Sequence, residues 1–66
     1  MGEITTKQGH VISLLEEKGF HHLAGDARHA WWEDRDFRPN SFAVFGLDRY
    51  IIWLIAEANG EVRERG

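Results

Sequence analysis

No cysteine occurs in these 66 residues, so neither a disulfide nor a thiolate-bound zinc can staple the fold. A chain this short has material for one core, and residues 1–66 are read as a single domain. Such a core supplies about 3–5 kcal/mol of net stability, which makes burial against a partner an expectation from the start. Apolar residues nevertheless make up 42% of the chain, three of them Trp and four Phe. The net charge of −3 disfavours nucleic acid as a partner, because phosphate binding needs a basic surface. The longest apolar run, Tyr50 to Ala56, is too short to span a bilayer. Met1 to Thr6 lacks the basic-then-apolar layout of a signal peptide, and a cytoplasmic location without membrane contact is expected. Gly2 and Thr6 fit the short N-myristoylation pattern, which is common by chance.

The first element is a helix over Thr6 to Lys18. Thr5 and Gln8 have the spacing of a capping box, in which each side chain satisfies the other's orphan backbone N–H. Val11, Leu14 and Leu15 share one face with Ile12 beside them, while Glu16, Glu17 and Lys18 face water. Gly19 is placed to take a left-handed C-terminal cap.

Beyond Gly19 the sequence reads as sheet. Phe20 to Ala24 and Ala27 to Asp34 flank Gly25-Asp26, a pair suited to a type II′ hairpin turn. That register opposes Phe20 to Trp31 and His22 to His29, with His21 on the other face. Glu33 to Asn40 follows as a mixed-charge loop, and Ser41 to Gly46 as a third strand, apolar on both faces. Leu47 to Gly66 has two readings. As a helix it would be capped by Asp48 and would carry a stripe of Leu47, Ile51, Leu54, Ile55, Ala58 and Val62. As a strand it draws on the β-branched and aromatic run Tyr50 to Ile55, with Asn59-Gly60 turning into a charged edge strand, Glu61 to Arg65. Propensity favours the strand. The expected fold is α+β: an N-terminal helix packed on a small antiparallel β-sheet, αββββ, with αβββα as the alternative.

The chemistry-bearing residues are few. His22 and His29, if opposed, form half of a metal site but want a third ligand, and His10 on the helix is remote. No metal and no cofactor is expected. Ser13 and Ser41 sit in no nucleophile motif, and the glycines form no phosphate-binding loop. Arg28, Arg35, Arg38 and Arg49, with Trp31, Trp32 and Phe37, would suit stacking on nucleic acid, but acidic residues accompany nearly every one.

The order helix, hairpin, strand and apolar last element, with Leu14-Leu15-Glu16-Glu17-Lys18-Gly19-Phe20 followed by His29 and Trp32, resembles the HicA-like ribonuclease toxins. The resemblance covers roughly residues 11–58. It implies a fold like that of double-stranded-RNA-binding domains and an RNA-cleaving activity, with His29 as general base aided by Arg28 or Arg49. Members carry that His after Gly-Ser, where this chain has Ala27-Arg28.

The aromatic surplus supports a different function. In a strand, Trp31 and Trp32 must point to opposite faces, and one helix covers only one face of a sheet. Large apolar surface is then left for a partner, and Trp and Arg are the side chains enriched at interface hot spots. The expected function is a small acidic protein-interaction module, of the accessory or inhibitory kind found in bacteria and phages. It would form a homodimer or dock on another protein through an aromatic-rich sheet surface bearing Trp31, Trp32, Trp53, Arg28 and Phe37.

Overall fold

The computed structural model describes residues 3–65, and Gly2, with its acylation pattern, lies outside them. The described residues form four helices: α1 (Thr6–Glu17), α2 (His21–Trp32), α3 (Ser41–Gly46) and α4 (Arg49–Arg65). No strand is present among them, so the α+β expectation is overturned in both of its topologies.

Helix α1 forms as its sequence dictates. The Thr5 hydroxyl accepts from Gln8 N at 3.1 Å and the Gln8 Oε1 accepts from Thr5 N at 3.0 Å, completing the capping box. Val11, Ile12 and Leu15 are buried, whereas Glu16, Glu17 and Lys18 are exposed. At the other end Phe20 N donates to Leu15 O and Gly19 N to Glu16 O, with Gly19 at φ +92°. This is a Schellman closure, and it turns the chain tightly into α2.

The hairpin expected over Phe20 to Asp34 is instead the single helix α2. Leu23, Ala24, Ala27 and Trp31 recur at helical spacing and all are buried. The two small alanines let α1 and α2 approach closely, and that packing outweighs the turn propensity of Gly25-Asp26. Gly25 has negative φ, since Gly19 is the only described glycine at positive φ. The helix ends in a second Schellman closure, with Arg35 N donating to Ala30 O and Asp34 N to Trp31 O. Here Asp34, at φ 58°, takes the left-handed position usually held by glycine.

Substituting Gly25 tests this correction by the sign of its effect. A methyl group there meets nothing within 4 Å, so Gly25→Ala is expected to stabilise the helix by about 0.5–1 kcal/mol and raise the melting temperature. A II′ turn would hold Gly25 at positive φ, and the same substitution would then lower it.

The third strand is replaced by α3, six residues long. The Asn40 side chain accepts from Ala43 N at 2.8 Å, so the Pro39-Asn40 pair acts as a helix start and not as a loop closure. The last segment takes the helical alternative. Asp48 Oδ1 accepts from Ile51 N at 2.9 Å, and Leu47, Ile51, Leu54, Ile55 and Ala58 are buried with Val62 packed beside them. Asn59-Gly60 falls inside α4 and makes no turn. The stripe wins because each of its members reaches the common core. A strand would have turned half of them away from it.

α1 and α4 run antiparallel, as shown by Lys7–Glu57 at one end and Lys18–Asp48 at the other, both 3.7 Å. Gln8, fully buried, donates from Nε2 to Ala58 O at 3.2 Å and joins the two helices. Trp31 is the largest fully buried side chain. Its ring meets Phe37 edge to face, with centroids 5.8 Å apart. Asn59 fixes this corner: its Oδ1 accepts from Trp31 Nε1 at 2.9 Å and Phe37 N at 2.8 Å, and its Nδ2 donates to Phe37 O at 3.0 Å.

Candidate functional site

With the core complete, Phe20 packs against its edge, Trp32 is exposed on α2, and the four other exposed aromatic side chains lie on α3 and α4. Phe42 is 88% and Phe45 89% exposed, while Tyr50 and Trp53 are 57% and 56% exposed. Helix α3 is short and turns Ala43 toward the core. Phe42 and Phe45, three residues apart, therefore stand together on its outer side. On α4 the buried stripe occupies one half of the helix. Ile52, Ala56, Trp53 and Tyr50 follow one another around the other half.

Between α3 and α4 runs an apolar groove of about 260 Å³. Pro39 and Val44 line one side and Ile52 and Ala56 the other, with the buried Phe37 and Ile55 beneath. Arg38 stands at its mouth, paired with Asp36 at 3.6 Å. Arg49 lies one turn before Trp53 and makes no ion pair among the described residues. Glu57 lies one turn after Trp53, bridged to Lys7 and still half exposed.

The binding residues expected from the sequence divide between inside and outside. Trp31 is fully buried, and Phe37 is a core residue that shows only as part of the groove lining. Trp53 is at the centre of the α4 face just described. Trp32 and Arg28 are exposed on α2, where they line, with Ile4, Gly25 and His29, a shallow hollow of about 470 Å³. Gly25 contributes only backbone to that hollow, and Arg28 at its edge approaches Glu16 at 4.0 Å. Adjacent in sequence, Trp31 and Trp32 do separate, one buried and one 47% exposed, through the 100° step of a helix and not the alternation of a strand.

His22 and His29 do not face each other. They stand seven residues apart on one helix, about 10 Å along its axis. No group of three or more His, Cys, Asp or Glu is placed to hold a metal among the described residues. The double-stranded-RNA-binding-domain-like sheet that the HicA-like resemblance implies is not formed, and His29 lies on an exposed helical surface. No helix among the described residues is long and apolar enough to cross a membrane. No protein-family model, no curated protein and no solved structure matches the chain.

Sequence reasoning missed Phe42 and Phe45 as surface residues. Read as a strand covered on both faces, Ser41 to Gly46 hid them. The Asn40 cap was the signal that could have moved them, because a helix beginning there sets Phe42 and Phe45 on one face and Ala43, the α3 residue that packs on the core, on another.

Proposed function

We propose that this chain is a small protein-interaction module that docks through the helical aromatic face of α3 and α4. The observation that carries the reading is the near-complete exposure of Phe42 and Phe45. The core is already closed without them by thirteen buried apolar residues, so they contribute nothing to folding that smaller polar residues would not. Exposed apolar patches of this kind on small domains mark contact sites. Aromatic anchors beside a groove are the form that binding hot spots take. The acidic balance of the chain favours a protein over a nucleic acid as the occupant.

The reading is tested by placing the photo-crosslinker p-benzoylphenylalanine at position 45 and, separately, at the exposed His22 of α2, in the cells that make the protein. A discrete covalent protein adduct is expected from position 45 and none of that mass from position 22. Absence of an adduct at position 45, or the same pattern from both positions, would overturn the reading.

A further inference from the structure

We propose that the occupant of the α3–α4 face is a second copy of this chain, paired through antiparallel α4 helices about a two-fold axis at Trp53. This rests on the reading of that face as a docking surface. Three features select a second copy.

The first is area. An aromatic side chain contributes about 150–250 Å², so the exposed parts of Phe42, Phe45, Tyr50 and Trp53 amount to about 600 Å². Val44 and Ile52, each more than one-third exposed, bring the exposed apolar area of α3 and α4 together close to the roughly 800 Å² that each member of a stable pair buries.

The second is shape. α3 and α4 present the exposed rings and, between Val44 and Ile52, an apolar groove of about 260 Å³ that the rings themselves do not line. Projection and recess on the same two helices are what an isologous contact brings together. Ala56, exposed next to Trp53 in this face, leaves room for the second copy's indole.

The third is charge. Arg49, Trp53 and Glu57 form a row at four-residue spacing, one ridge of the helix surface. Antiparallel pairing centred on Trp53 sets Arg49 of each copy against Glu57 of the other, giving two reciprocal ion pairs around the central indoles. Arg49 has no partner within its own chain among the described residues. Glu57 keeps its Lys7 bridge, and its second oxygen is available to the incoming guanidinium.

The test is sedimentation equilibrium of the full chain, its Arg49→Glu and Glu57→Arg variants, and the variant carrying both. Both positions are exposed, and circular dichroism checks that each variant keeps its helix content. The parent is expected to sediment as a dimer at micromolar concentration. Each single reversal sets like charges together twice per dimer and is expected to weaken association by at least about tenfold. The double variant restores opposite pairing and is expected to recover parental association. A parent that stays monomeric, or a double variant no stronger than the singles, overturns the pairing. A monomeric parent that still gives a discrete adduct at position 45 with another protein overturns the second copy as occupant and leaves the docking face standing. A monomeric parent with no adduct removes both.

Discussion

Asn59→Leu is expected to leave the chain largely unfolded at room temperature, although it replaces a polar side chain with an apolar one of similar size. Asn59 partners three groups at once: the Trp31 indole N–H, the Phe37 N–H and the Phe37 carbonyl. The indole belongs to a fully buried ring, so water cannot replace the lost acceptor. Each buried polar group stripped of its partner costs about 1–3 kcal/mol. A core of this size supplies only about 3–5 kcal/mol in total. Asn59→Asp separates hydrogen bonding from packing, because it retains oxygens for the two N–H donors and loses only the donation to Phe37 O. It is expected to melt between the parent and Asn59→Leu. Urea titration followed by circular dichroism orders the three chains. If Asn59→Leu proved as stable as the parent, the role of Asn59 in joining α4, α2 and the 33–40 loop would be refuted.

The same corner shows why part of the fold was legible in the sequence and part was not. α1 was legible because its start and stop signals are local: the Thr5–Gln8 box and Gly19 each act within a few residues of their own helix end. The stripe of α4 was legible too, since Leu47, Ile51, Leu54, Ile55 and Ala58 recur at helical spacing. The β-branched and aromatic run Tyr50 to Ile55, with the Asn59-Gly60 turn signal, argued for a strand and carried the greater weight, wrongly. What decided between them is tertiary: Gln8 reaching Ala58 O, and Asn59 reaching Phe37 and Trp31. No local pattern announces such contacts across the chain. α2 was lost for a related reason. Its C-terminal cap uses Asp34 in the left-handed position, where a glycine would have marked the end. Gly25, which reads as a turn, is an ordinary helical residue with open space beside it. Of the surface, the surplus of aromatic residues was legible, but its position was not. Trp53 lies outside, Trp31 and Phe37 went to the core, and Phe42 and Phe45 became exposed only once Ser41 to Gly46 was a helix.

Replacing Phe42 and Phe45 together with Ser should therefore abolish association and leave the fold intact. Two rings almost fully in water contribute little to the folded monomer, and surface changes of this kind usually stay within about 0.5 kcal/mol. Ser and Phe also have similar helix propensities. For a dimer, the same change removes the most exposed apolar area of the contact. Association also stabilises whatever it binds, so the parent's melting temperature should rise with protein concentration while that of the variant should not. The decisive measurement is the mass of Phe42→Ser/Phe45→Ser beside the parent by sedimentation equilibrium, with helix content followed on the same samples. A helical monomer where the parent is a dimer is the expected result. A variant that keeps the parent's dimeric mass, or one that loses its helices, would contradict the claim that the α3–α4 face exists for binding and not for folding.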